Sequence, residues 1–312
     1  MKRMLLAFLC VFMTMGLAAS ALAVPSLPAG PVYFQFNNVE QIDQTLGNGI
    51  SVPGINPLTG LADYGTAGNW GLVNISTIQD GAVAIPHRDI GGGPVLWSDD
   101  GVGGSNGQIT AIFYDIQLDT GTLATNGVMD LYYRELGQEG VTNNHLAGTA
   151  GGPDAATVDT FIGTDDGTDT TFLARLFFDT GIVTGDDTHT ILSNTDVTAP
   201  GELSGRADSF ASVDTTTVGL WTALLDQDWF WVDTDGNGVF GEAGELRDVR
   251  FSNFFNSAPG WDDPLVDTTV GLRSNDPART FTPIPEPSTM LLLGAGLMGF
   301  AGVARRIRRK KG

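Results

Sequence analysis

Alternation of apolar and polar positions with a period of two runs through most of the chain between residues 30 and 282. It is clearest at 108–118, where Ile112, Tyr114, Ile116 and Leu118 alternate with Phe113, Asp115 and Gln117. That is the pattern of a half-buried strand. The same rule predicts strands at 32–36, 73–78, 82–85, 128–134, 156–162, 171–178, 189–192, 207–213, 218–225, 229–232, 248–255, 265–272 and 280–282. Asp80-Gly81 predicts a hairpin that joins 73–78 to 82–85. Residues 37–72 read as loop, broken by Gly47-Asn48-Gly49, Val52-Pro53-Gly54 and Asn56-Pro57. No helix-period stretch longer than two turns lies in this region, with 220–226 the most ambiguous. Many short strands between frequent turns predict an all-β ectodomain, a β-sandwich or jelly roll. A short echo between 213–220 and 266–272 is too brief to count as a repeat.

The two ends break the alternation. Met1-Lys2-Arg3 is basic, Met4 to Leu17 is apolar, and Ala21-Leu22-Ala23 fits a small-x-small cleavage site. Residues 1–23 therefore read as a secretory signal peptide. At the other end, residues 283–312 have three parts. Pro285 and Pro287 lack backbone donors and fix φ, so the segment around Glu286 stays extended. Residues 288–304 are uncharged and long enough for about 25 Å of helix, the short end of what spans a bilayer core. Arg305 and Arg306 open a cluster of six basic residues in the last eight positions, which the positive-inside rule keeps in the cytoplasm. This predicts one C-terminal transmembrane helix with residues 24–282 on the far side.

The order Pro285-Glu286-Pro287, Gly-rich apolar helix, Arg cluster resembles the PEP-CTERM sorting signal of Gram-negative bacteria. The resemblance implies export, a transient inner-membrane precursor, processing near the motif by an exosortase, and delivery to the cell surface or extracellular matrix. It covers about a tenth of the chain. A plain C-terminal membrane anchor is the alternative.

Composition limits what the ectodomain can do. Cys10 is the only cysteine and lies in the signal, so the body has no disulfide, thiolate nucleophile or zinc–thiolate site. Two basic residues belong to the signal, and six with Glu286 belong to the tail. The body keeps eight arginines against 35 acidic residues, a net charge of −27. Such a surface repels nucleic acid and attracts divalent cations. It also suits a soluble coat with no specific partner.

One acidic loop has ligand spacing. Asp233, Asp235 and Asn237 alternate, Gly238 supplies a turn, and the Val239 carbonyl comes next. This resembles the first half of an EF-hand loop and points to Ca²⁺. The twelfth position is Gly244; the acid follows at Glu245, with Glu242 a second candidate. Without flanking helices the loop reads as a calcium loop set between strands, the alternative being a metal-free acidic turn. The turns at 99–100, 165–166, 186–187 and 262–263 are weaker candidates. His87, His145 and His189 are scattered, and no nucleophile elbow or phosphate loop is present, so no catalytic residue is assigned. Trp70, Trp97, Trp221, Trp229, Trp231 and Trp261 leave open a Ca²⁺-dependent carbohydrate-binding module, and less so a polysaccharide hydrolase or lyase. The leading expectation is an acidic, Ca²⁺-ordered surface or matrix protein.

Overall fold

The computed structural model describes residues 24–47, 49–54, 56–60, 64, 67–99, 107–135, 158, 161–162, 170–258 and 269–284. Eight strands form one closed sheet. In chain order they are β1 (Gly30–Asp43), β3 (Ala67–Asp80), β7 (Gly107–Leu118), β8 (Leu123–Glu135), β9 (Thr170–Asp179), β11 (Ser204–Val213), β14 (Val249–Ser257) and β15 (Thr269–Thr282). Each pairs antiparallel with the next, and β15 pairs with β1 from Gly30↔Thr282 to Asp43↔Thr269. β10 (Ile191–Ser193) fills the gap between β8 and β11 that β9 leaves. Two short strands extend β3: β2 (Ile50–Ser51) and β6 (Val95–Ser98).

The all-β expectation holds, but the sheet is an up-and-down barrel rather than a sandwich or jelly roll. Alternation says that one face is buried, not whether the sheet closes. Closure comes from β1 meeting β15, and from bulges that coil the strands at Gln35/Phe36, Ile78/Gln79 and Leu131/Tyr132. The interior carries Phe34, Phe36, Phe113, Met129, Leu176 and Phe251, all nearly inaccessible. Trp221 closes one end, its ring 6.1 Å from Phe34.

Four local expectations fail for stated reasons. Residues 37–72 are not mostly loop: β1 runs on to Asp43 and β3 starts at Ala67, because the two strands pair with each other from Val32↔Asp80 to Gln41↔Trp70. The 73–78/82–85 hairpin does not form, because β1 and β7 take both edges of β3 and Gly81 N–H donates to the Pro31 carbonyl. Instead β4 (Ala82–Ile85) pairs with β5 (Asp89–Gly91). Residues 218–225 end in a helical turn, α1 (Thr222–Leu225). In 156–162, Val158, Phe161 and Ile162 are helical. They pack with Val39, Trp70, Leu72, Ile112 and Tyr132 as a second core outside the barrel. This outer cover explains why β7 is buried on both faces. Asp115, at φ +62°, breaks its alternation, so Ile112 and Tyr114 face the outer core while Ile116 and Leu118 face inward.

Among the described residues no helix is long and apolar enough to cross a membrane. The expected signal peptide 1–23 and span 288–304 lie outside the described residues. Ile284, where the described chain ends, is exposed.

Candidate metal centre

The acidic loop joins β12 (Phe230–Trp231) to β13 (Leu246–Arg247), so it is set between strands as its flanking residues predict. Val232 N–H donates to the Glu245 carbonyl and Gly241 N–H to the Val232 carbonyl, which closes the loop at its base. Phe230 and Val232 anchor it through a small core with Ile90 and Phe210. Arg247 fixes its far side: Nη1 donates to the Gly244 carbonyl at 2.8 Å and Nε to the Thr180 carbonyl at 2.9 Å. Burial lowers the Arg247 pKa, an effect opposed by Asp179 at 3.2 Å and by Glu245.

Gly236 (φ +73°) and Gly238 (φ +82°) take left-handed conformations. They turn their amides inward, so Gly236 N–H donates to Asp233 Oδ1 at 2.8 Å and Gly238 N–H to Oδ2 at 3.1 Å. Carboxylate oxygens of Asp233, Asp235 and Glu245 lie within 4.8 Å of one another. Two oxygens sharing one Ca²⁺ at about 2.4 Å can be no more than about 4.8 Å apart. The three carboxylates meet that distance condition for one shared cation.

Asp233 and Glu245 are buried. Glu245 Oε1 accepts from Thr234 N–H at 2.8 Å, from the Thr234 hydroxyl at 3.0 Å and from Asp235 N–H at 3.4 Å. Led by the Thr234 amide, these bonds hold its carboxyl below the usual range and keep it ionised. Its second oxygen, Oε2, is buried with no hydrogen-bond partner in the structure.

Of the five residues expected to bind metal, the structure gathers Asp233, Asp235 and Glu245. Asn237 stands beside them: its amide nitrogen donates to Asp235 at 3.0 Å and to Glu242 at 2.6 Å, and its Oδ1 accepts from Val239 N–H. Glu242 is thus tied to Asn237, and Glu245 is the acid that completes the cluster. Val239 is half exposed. Asp186 is taken up by His189, with its Oδ2 2.6 Å from Nδ1. The pairs at 165–166 and 262–263, and Asp100, lie outside the described residues.

The described tryptophans are mostly structural, and Trp261 lies outside the described residues. Trp70, Trp97 and Trp221 are buried. Trp231 is 41% exposed, but His87 stacks on it at 3.8 Å and Gly241 lies against its pyrrole ring. Trp229 stacks on Phe281 at 5.3 Å.

Some charged residues with structural roles escape sequence reasoning. Asp130, fully buried, accepts from Arg175 Nε at 2.7 Å and Nη2 at 2.8 Å, and from the Tyr114 hydroxyl at 3.1 Å. Asp248 accepts three backbone N–H bonds, from Val213, Gln227 and Asp228. The signal was present: Asp130 and Arg175 are charges inside strands otherwise read as half buried, and such charges need partners.

The fold and tail together define a closed β-barrel followed by a sorting segment. Residues 283–309 match the family model of the PEP-CTERM protein-sorting motif. That motif implies an exosortase-targeted, exported protein that reaches the surface or the extracellular space. No curated protein and no solved structure matches the chain. The sorting residues Pro285, Glu286, Pro287, Arg305 and Arg306 lie outside the described residues.

Proposed function

We propose that this chain is an exported, exosortase-processed structural protein of the cell surface or extracellular matrix, whose acidic barrel is ordered by Ca²⁺ at the 233–245 loop. The observation that carries the calcium reading is Glu245 Oε2. An ionised carboxylate oxygen buried without a donor is costly, and a cation shared with Asp233 and Asp235 offsets that cost. The closed loop base and the Arg247 staple make the cation an ordering element rather than a signalling one. A cysteine-free domain outside the cell gains most from such an element. The inner-membrane precursor follows from the apolar 288–304 segment and its basic end. A polysaccharide partner draws less support, since the ring of Trp231 beside the loop is already stacked.

The test is thermal unfolding of the exported protein with Ca²⁺ and with chelator. At Ca²⁺ concentrations of about 10–100 times Kd, binding adds about 1.4–2.7 kcal/mol. That corresponds to a chelator-induced fall in Tm of about 3–10 °C. Asp233→Ala with Asp235→Ala abolishes the difference; an unmutated protein that ignores chelator refutes the calcium reading.

A further inference from the structure

The inside of the barrel is incompletely filled. On β11 the inward side chains are Ala207, Ser209 and Ala211, and on β15 they include Ser274 and Ala278, which are too small to meet the phenylalanines opposite. Among the described residues, cavities of about 70, 60 and 30 Å³ remain. Each exceeds the roughly 10–15 Å³ that one water needs. Neighbouring cavities share walls: Glu40 and Ala207 line the first and second, Phe36 and Met129 the second and third. They therefore run in file along the barrel. Their wall follows β1 from Phe34 to Ile42, about 26 Å of strand at about 3.3 Å per residue. Gly121, Thr122 and Leu123, all partly exposed, stand at one end, and Leu225 of α1 stands at the other.

The middle cavity is not purely apolar. Asn38 is 0% exposed and lines it, yet its Nδ2 has no hydrogen-bond partner; its Oδ1 accepts from Ser274. Asn253 also lines it, and its Oδ1 is buried without a donor. One free donor and one free acceptor thus border the same space. An eight-stranded barrel is just wide enough to be filled by side chains or to hold one small ligand. Here small side chains leave a file of cavities, and two amides leave bonds for a guest to complete. The guest is uncharged or cationic rather than anionic, because Glu40 lines two of the cavities and no Lys, Arg or His lines any of the three. The space is divided into small cavities one beyond the next rather than one broad chamber, which favours a single chain over a ring system.

We propose that the barrel interior is a binding site for a slender, neutral aliphatic alcohol. Its chain lies in the apolar cavities and its hydroxyl sits between the Asn38 donor and the Asn253 acceptor. This site is separate from the acidic loop and does not depend on the calcium reading.

n-Octanol is the probe. Calorimetric titration of the exported protein gives saturable one-to-one binding, at least tenfold weaker for octanoate at neutral pH. Ala207→Leu and Ser209→Val, which fill the cavities, each weaken octanol binding at least tenfold. Because a filled variant could fail to fold, a third measurement uses the unmutated protein. Met129 is the only methionine between residues 24 and 284, and it lines two cavities. A labelled Met129 methyl shows contacts to octanol methylenes in nuclear Overhauser spectra. No saturable binding, octanoate binding as tightly as octanol, undiminished binding in a folded filled variant, or no Met129 contact would each overturn the proposal.

Discussion

Removing the Asp130 carboxylate breaks a buried ion pair in the barrel wall. Asp130 lies on β8 and Arg175 opposite it on β9, with Asp130↔Arg175 in register. Two short hydrogen bonds join them, and the hydrogen bond to Asp130 is the main cause raising the Arg175 pKa above its ordinary value. Asp130→Ala leaves a cation and the Tyr114 hydroxyl without their acceptor. Breaking a buried pair costs about 3–5 kcal/mol. The Arg175 side chain is 19% exposed and can recover some solvation, so the loss falls at the lower end, about 3 kcal/mol. For a domain of this size that is a fall in Tm of about 6–12 °C. Calorimetry or circular dichroism measures it directly. Replacing both partners, Asp130→Leu with Arg175→Met, restores most of the loss, because a well-packed apolar pair stands in for a buried ion pair at little cost. A fall below about 2 °C for Asp130→Ala would place the pair among weak surface bridges and refute the reasoning. So would a double variant no better than the single.

Other consequences are open to test. Asp119 first, then Asp186, raises the pKa of His189, with Nε2 3.0 Å and Nδ1 2.6 Å from their carboxylates. A raised folded pKa gives stability that is complete below the unfolded value of about 6.5 and is lost as pH rises through the folded one. His189→Gln therefore lowers Tm at pH 6 and has less effect at pH 9; an equal loss at both would refute a stabilising role for the charged imidazole. Gly236→Ala forces a side chain into a left-handed residue with a Cβ 3.1 Å from the Gly185 Cα. It costs about 1–2 kcal/mol, read as a lower denaturation midpoint, and an unchanged midpoint would show that the loop tolerates the change. Replacing Pro285-Glu286-Pro287 by alanines leaves a full-length, membrane-bound chain on immunoblots of fractionated cells. Continued normal processing would remove the sorting role of that motif.

Much of this molecule is written locally, and the rest depends on distant partners. The long strands β8, β9 and β14 are legible because their inward residues repeat every second position, and β7 is legible in position although Asp115 breaks its alternation. The carboxylate cluster was legible because Asp233, Asp235 and Gly238 act within one loop. Glu245 already stood ahead of Glu242 in the sequence; how each is held was not legible, Glu245 by the Val232 ladder bond and Glu242 by Asn237. Barrel closure was hidden, since β1 meets β15 across more than 200 residues and no local pattern encodes that meeting. The hairpin expected at Asp80-Gly81 failed for the same reason: its turn chemistry was sound, but β1 had claimed the strand edge. The interior amides Asn38 and Asn253 were invisible as neighbours because their lining one cavity depends on β15, which pairs with both β1 and β14.

The most direct measurement of the central claim is calcium stoichiometry by equilibrium dialysis of the exported protein and its Glu245→Gln variant. The account predicts one saturable Ca²⁺ per unmutated chain and none at the same free concentration in the variant. No saturable calcium in the unmutated protein, or equal uptake by both, would contradict it.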